Sequence, residues 1–442
     1  MNINHNFMKG QDSYFFATIS EKIEEAQTKN PNRKIIKMSI GSPRGPIPKV
    51  SADAMKKAID ELLTVEKFRG YGPEIGYDFL REPVAEVAYN KRGVDISFDE
   101  ITISQGINED ISKFQLMLDM QSKTSVTDPV YPVYVDTNVM AGRSGNYDEG
   151  KGLFEGINYS TLSDETNFKA PLPDGKVGII YLCSPNNPTG IAMTKKELKE
   201  WIDYAKVNNA IILFDGAYER FVTNEDVPHS IYEVEGAKDV AVEFRSFSKD
   251  ASFAGVRCAY TVVPKELMVL DEDGNKVQLL KIWKKFHATT QNGCSYIIQR
   301  GAEAVLTPEG QKEIDEKMAY YKENCKIILD ALHEKGIKTQ GGIDGPYIWF
   351  KVPEGYDSWS YFDYLLKEKG VATTPGVGFG PAGEGYVRVT AFASREETKE
   401  AMKRILEWYE QKRLKERNKN NRKTKMNNVC KRGIEIIPLL YI

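Results

Sequence analysis

The chain has 442 residues, more than one average domain and enough to bury a large core. Its net charge of −3 excludes a global basic field that would recruit nucleic acid or a membrane surface. Five cysteines without paired short spacings, and four histidines without close pairing, argue against a disulfide framework or a metal site.

The first ten residues are polar and lack the apolar core of a secretory signal. No apolar stretch reaches the roughly 18 residues of a membrane span, so a cytoplasmic protein is expected. Helical patterns then alternate with short apolar runs, which predicts an α/β fold with a mainly parallel sheet. Val177–Leu182 and Ile211–Phe214 read as buried parallel strands, apolar on both faces. Between them, Thr194 and Glu197 form a capping box for a helix whose face carries Leu198, Ile202 and Ala205. Further helices are predicted from Thr307 to His333 and after a second capping box, Ser394 with Glu397; the latter presents Met402, Ile405, Leu406 and Tyr409 on one face. A strand is predicted at Tyr347–Phe350. The expected organisation is an N-terminal arm and part of a small domain over 1–45, a large domain over 46–290, the rest of the small domain over 291–410, and a tail over 411–442. The tail is crowded with Lys, Arg and Asn, and its expected state is solvated and disordered; nucleic-acid or membrane contact is the sharper alternative.

Three segments carry chemistry, in a fixed order: the turn Ser184-Pro185-Asn186-Asn187-Pro188-Thr189-Gly190, the strand end Asp215 with Tyr218 three residues on, and Arg245-Ser246-Phe247-Ser248-Lys249 followed by Arg257. Asn187 and Asp215 lie just beyond strand carboxyl ends, where open α/β sheets bind ligands. These are the parts of a pyridoxal phosphate site. The Lys249 amine can form a Schiff base with the cofactor aldehyde and later move the substrate proton. Ser246, Ser248 and Arg257 can donate to a phosphate. Asp215 can keep a pyridinium nitrogen protonated, which makes the ring an electron sink. Asn187 and Tyr218 can donate to the ring's phenolic oxygen. Each segment alone is a common loop; their ordered set is not.

At these residues the chain resembles the fold-type I aminotransferases. Closer matches come from Phe68-Arg69-Gly70-Tyr71-Gly72-Pro73-Glu74, from Thr127 through Asp136, from Tyr181 through Gly190, from Asn292 through Ile297, and from Gly383-Glu384-Gly385-Tyr386. There the chain is similar to the LL-diaminopimelate aminotransferase family, from about Tyr14 to about Glu410. The resemblance implies a pyridoxal phosphate-dependent transaminase acting on an amino acid and a 2-oxo acid, as a homodimer with shared sites. It also implies individual roles. Arg388 matches the residue gripping the substrate α-carboxylate, and Tyr131 the aromatic stacked on the cofactor ring. Tyr71 matches a residue reaching the cofactor phosphate of the other subunit, and Glu74 the acid meeting the distal ammonium of diaminopimelate across the interface. Tyr14, Gly41 and Asn292 match substrate-side contacts. Asn108, Tyr131, Asn187 and Asn292 are expected to face both cofactor and substrate, and Ile107 to face the cofactor.

Three positions depart from the family pattern. Gly106-Ile107-Asn108 stands where the family usually has Gly-Ala-Lys, whose lysine meets a distal carboxylate. Gly41 through Pro48 differs from the family's usual segment, and Ile75 replaces a glutamine. Either this chain acts on a different amino acid, or Arg44 replaces the missing charge. A β-elimination lyase on the same fold is a further alternative.

Overall fold

Strands apolar on both faces require cover on both sides, and the segments between Ile101 and Val262 satisfy that requirement together. The computed structural model describes residues 1–9, 14–407 and 409; the expectation for the tail lies outside the described residues. Seven strands form the main sheet: β1 (Ile101–Ser104), β2 (Thr124–Asp128), β3 (Ile157–Thr161), β4 (Ile179–Cys183), β5 (Ile211–Asp215), β6 (Ala241–Ser246) and β7 (Ala259–Val262). Their spatial order is β1-β7-β6-β5-β4-β2-β3. Pairings among β2 to β6 are parallel, and β7 runs antiparallel to both of its neighbours.

This topology positions the site. Parallel strands end together, so β2, β4, β5 and β6 release their following loops at one edge. The reversed β7 contributes its beginning to that same edge, where Ala259 pairs with both Ser104 and Ser246. Arg257, two residues before Ala259, is thereby placed beside the segment after β6.

Six helices matter here: α1 (Phe15–Lys29), α2 (Ile107–Phe114), α3 (Pro132–Ala141), α4 (Lys195–Asn208), α5 (Pro308–Glu334) and α6 (395–407). The capping box on α4 forms: the Thr194 hydroxyl accepts from the Glu197 amide at 3.2 Å, and the Glu197 carboxylate accepts from the Thr194 amide at 2.9 Å. Leu198, Ile202 and Ala205 are fully buried.

The capping box at α6 is only half made. Ser394 accepts from the Glu397 amide at 3.1 Å, but the Glu397 carboxylate turns to Lys34 at 2.9 Å and Arg44 at 2.8 Å. Two cations outcompete a backbone amide for one carboxylate. The same contacts correct the reading of Arg44: its guanidinium is held by Glu397 and the Lys37 carbonyl and does not supply a charge to the cavity described below.

A second sheet has the order β8 (Thr339–Gly341), β9 (Tyr347–Lys351), β11 (Tyr386–Thr390), β10 (Thr374–Pro375), all antiparallel. It packs against α5 and α6 through Ile328, Leu332, Ile348, Val387 and Ile405. The N-terminal segment joins this body. Phe15, Ile19 and Ile23 of α1 pack with Trp349, Phe362 and Phe379, and Ile36–Lys37 pairs with Val371–Ala372. Among the described residues no helix is long and apolar enough to cross a membrane.

Candidate active site

At the carboxyl edge of the main sheet a cavity of about 280 Å³ lies between the two bodies, close to the lower end of the roughly 300–1,000 Å³ usual for ligand pockets. Lys249 sits on its wall. The turn that carries it is tied by its own hydroxyls: Ser246 Oγ donates to Ser248 Oγ at 2.9 Å and accepts from the Ser248 amide at 3.0 Å. Lys249 Nζ donates to the Gly41 carbonyl at 2.6 Å. Burial, helped by the nearby Arg388 and Arg257 and opposed by Asp215, pushes this amine down to about 8. Amine reactivity follows the neutral fraction, so Lys249 of the unloaded protein should titrate roughly two units below an ordinary lysine. Pulse labelling with an amine-reactive reagent across a pH range of about 6 to 11, read by peptide mass spectrometry, should give Lys249 a midpoint of about 8, below the ordinary lysine value of about 10.4.

Asp215, the last residue of β5, lines the same cavity and is 6% exposed. It accepts from Tyr134 Oη at 2.6 Å and from the Ala217 amide at 3.0 Å. Burial still raises its carboxyl above the ordinary range, outweighing those two donors and the Lys249 charge. A cation against it would reverse that shift, which is what a protonated ring nitrogen supplies.

Backbone and side chains together build the anion end of the cavity. Gly106 precedes α2, whose first amides, on Ile107 and Asn108, have no intrahelical acceptor. Arg257 approaches so closely that a Cβ on Gly106 would lie 2.0 Å from its Nη2. Ser246 and Ser248 face the same space. Helix start, guanidinium and two hydroxyls match a phosphate in charge and geometry, so the residues present fit pyridoxal phosphate. Gly106→Ala should displace Arg257 and weaken cofactor affinity about 10- to 100-fold, the cost of one charge-assisted hydrogen bond. Titrating the unloaded variant with pyridoxal phosphate measures it.

Arg388 lines the same cavity from β11, 1% exposed. Its Nη1 donates to Asn187 Oδ1 at 2.6 Å and its Nη2 to the Ser39 carbonyl at 2.9 Å. Its charge lies over the Tyr347 ring at 4.5 Å and the Phe379 ring at 4.9 Å. Among the described residues no carboxylate pairs with it. A buried guanidinium without a counter-ion is a receptor for one. Because Asn187 Oδ1 is taken by Arg388, its amide nitrogen remains for another acceptor.

Tyr131, at the start of α3, carries its hydroxyl 3.4 Å from that of Tyr14 and 3.1 Å from Asn108 Nδ2. Tyr218 Oη lies 2.8 Å from Tyr347 Oη. Gly41 passes so near Tyr347 that a Cβ there would meet its hydroxyl at 2.8 Å. The structure therefore gathers Gly41, Ile107, Asn108, Tyr131, Asn187, Asp215, Tyr218, Ser246, Ser248, Lys249, Arg257 and Arg388 around one cavity, with Tyr14 bonded to its rim. It does not bring Tyr71, Glu74 or Asn292 there. Those three are exposed on adjoining segments, with Gly293 against the Pro73 carbonyl.

Sequence reasoning missed Tyr134 and Tyr347. Tyr134 had a signal, since it stands three residues after Tyr131 at a helix start and so shares its face. Tyr347 had none, since it is one aromatic residue in an apolar strand.

Residues 33–405 match the family model described as aminotransferase class I and II. The chain belongs to the class I and II aminotransferases. Similar members include the LL-diaminopimelate aminotransferase of Methanosphaera stadtmanae, 53% identical over 91% of this chain and 98% of the relative. That of Bacteroides fragilis is 47% identical over the same shares. Among solved structures, the L,L-diaminopimelate aminotransferase from Chlamydomonas reinhardtii superposes with a TM-score of 0.86 at 43% identity, over 92% of this chain and 99% of that one. This aminotransferase is thus a pyridoxal phosphate-dependent transaminase of the fold-type I α/β architecture. Its sheet is parallel except for β7.

Proposed function

We propose that this aminotransferase interconverts tetrahydrodipicolinate and LL-diaminopimelate, with glutamate and 2-oxoglutarate as the amino donor and acceptor pair, in lysine biosynthesis. The observation that carries the reaction is Lys249, a lysine of lowered basicity between the buried acid Asp215 and the uncompensated cation Arg388. The substrate rests on the names of relatives 47% and 53% identical over 91% of the chain.

When bound, pyridoxal phosphate supplies an aldehyde and a cationic ring that stabilises negative charge at the substrate α-carbon. Arg388 grips the α-carboxylate with two parallel N–H groups and so orients the α-hydrogen. The Lys249 amine takes that proton; an amine with its neutral form available near pH 8 is suited to the task. Asp215 stays ionised against the ring nitrogen, held in place by Tyr134. Asn187 and Tyr218 would donate to the phenolic oxygen, and Arg257, Ser246, Ser248 and the start of α2 would hold the phosphate.

Beyond the groups already given roles, the polar side chains at the cavity that would meet the distal end of the substrate include the neutral Asn108, Tyr14 and Tyr131. We therefore place Tyr71, Glu74 and Asn292 in the cavity of a second copy, as a homodimer whose two-fold symmetry makes the exchange reciprocal. Mixed dimers test this: Glu74→Gln and Lys249→Ala chains, each inactive alone, should regain activity when co-assembled. The free thiols of Cys183, Cys258, Cys294 and Cys325 support a reducing compartment such as the cytoplasm.

Asn108 favours a second reading. It is neutral and bonded to Tyr131, and Arg44 is held by Glu397, so neither gives a cation for a distal carboxylate. A paralogue transaminating another amino acid fits that observation. An amino-donor screen with 2-oxoglutarate, read as glutamate formed, decides between them. LL-diaminopimelate should be the best donor; reaction with another amino acid in its place overturns the substrate. Pyruvate and ammonia released without any acceptor would instead mark a β-elimination lyase.

A further inference from the structure

Tyr347 enters the site from β9 and touches both of its halves. On the second sheet, Arg388 pairs with Trp349, so Tyr347 and Arg388 are diagonal neighbours on one face. The Arg388 guanidinium lies 4.5 Å from the centre of the Tyr347 ring. On the other side, the Tyr347 hydroxyl is 2.8 Å from that of Tyr218, which comes from the loop after β5 of the main sheet. The two rings meet edge to face at 5.1 Å. Both residues are buried, at 1% and 5% exposure, and the close passage of Gly41 over the Tyr347 hydroxyl leaves that oxygen little room to move.

A phenol has one proton and two acceptor positions. If Tyr218 donates to the cofactor's phenolic oxygen, its own oxygen must receive from Tyr347. The Tyr347 proton has no other acceptor among the described residues. We infer that Tyr347 is a positioning residue: its hydroxyl donates to Tyr218 and aims the Tyr218 proton at the cofactor, while its ring face seats Arg388. One side chain thus couples the grip on the substrate carboxylate to the charge on the cofactor oxygen.

Donation into Tyr218 polarises its O–H and strengthens the bond that it makes in turn. With the cofactor bound, that bond would stabilise the ionised form of its phenolic oxygen and so lower the pH at which the absorbance of the loaded protein changes. Other charged and titratable groups also face this set. Cys183 and Asp215 face Tyr218, with Lys249 Nζ 5.9 Å from its ring. Arg388, Tyr131 and Cys183 face Tyr347. Arg388, Asp215 and Arg257 face Lys249. Tyr218→Phe and Tyr347→Phe keep both rings, and with them the seat of Arg388, so a changed midpoint in these variants reports the two hydroxyls.

The inference rests on the reading of Tyr218 as a donor to the phenolic oxygen, and the test separates the two. The absorbance of the cofactor-loaded protein is followed against pH for the unsubstituted chain, Tyr218→Phe, Tyr347→Phe and the double variant, with thermal unfolding of each. Tyr347→Phe should raise the spectral midpoint by about half a pH unit, the worth of a fraction of one hydrogen bond. Tyr218→Phe should raise it further, and the double variant should match Tyr218→Phe, because the relay has lost its only outlet. Tyr347→Leu should add a rise in KM for the amino donor, because Arg388 loses its seat. An unmoved midpoint in Tyr347→Phe beside a moved one in Tyr218→Phe overturns the relay, as does simple addition in the double variant. A lower Tm without a midpoint change marks a merely structural side chain and overturns it too. An unmoved midpoint in Tyr218→Phe removes the underlying reading and the relay with it.

Discussion

Lys249→Ala should abolish transamination, with a loss of at least about 10⁴-fold, while leaving the fold intact. Two functions disappear together: the covalent anchor for the aldehyde and the base that takes the α-proton. Removing a cation here should not cost stability. Burial has already lowered the basicity of Lys249, so the folded state disfavours its charged form. The resulting penalty on the fold is full below about 8 and fades as pH rises toward the ordinary lysine value of about 10.4. The alanine variant should therefore melt no lower than the parent at neutral pH when both are unloaded. Two measurements check the prediction. Borohydride reduction with pyridoxal phosphate should label the parent at Lys249 and leave the variant unlabelled. Steady-state turnover should fall to background. Retained labelling elsewhere at full activity would transfer the role to another lysine.

Asp215→Asn should lower kcat by about 10²- to 10³-fold, the scale of losing one partner of a buried charge pair. Asparagine keeps the shape but offers one acceptor oxygen where Asp215 offers two, one to Tyr134 and one to the Ala217 amide, so the loss reports the charge together with one of those hydrogen bonds. The sign of the stability effect is opposite to that of the activity effect. The Asp215 carboxyl is raised in the fold by burial, so the folded state holds its proton more tightly than the unfolded chain. Above the ordinary carboxylate range the unloaded parent loses stability as pH rises toward that raised value. The substituted amide carries no such penalty, so the unloaded variant should melt above the parent at neutral pH and show no advantage at acid pH. Cofactor binding reverses the order, because the ring nitrogen stabilises the carboxylate of the parent only. Thermal melts with and without pyridoxal phosphate, at two pH values, contain all four comparisons. Equal melting of parent and variant in every condition would remove Asp215 from the cofactor's charge balance.

Much of the large body was legible in the chain because its determinants are local. The strand ending at Asp215 is an uninterrupted apolar run closed by an acid. The Thr194–Glu197 box needs only a four-residue window, and both of its bonds form. The second box reads alike in sequence yet makes only one of its two bonds, because Lys34 and Arg44 reach Glu397 from the far end of the chain. Arg44 was legible as a charge but not as a destination: whether it entered the cavity depended on that distant carboxylate. Tyr134 and Tyr347 illustrate the same limit inside the site. Each contributes one hydroxyl to a residue 81 or 129 positions away.

From its sequence alone this protein could be read as an α/β enzyme with an Asn-Pro-Thr-Gly turn, an acid and a lysine in the order of a pyridoxal phosphate site. Those features are written in short segments, where turn residues, caps and apolar periodicity act over a few bonds. Only the tertiary structure decided that β7 runs backwards and so delivers Arg257 beside Gly106. Among the described residues it also left Arg388 without a counter-ion, and it put Tyr71, Glu74 and Asn292 on the surface away from their own chain's cavity. The reason is physical: strand direction, burial of a charge and the meeting of distant loops are set by how whole elements pack, and no short window of sequence contains both partners.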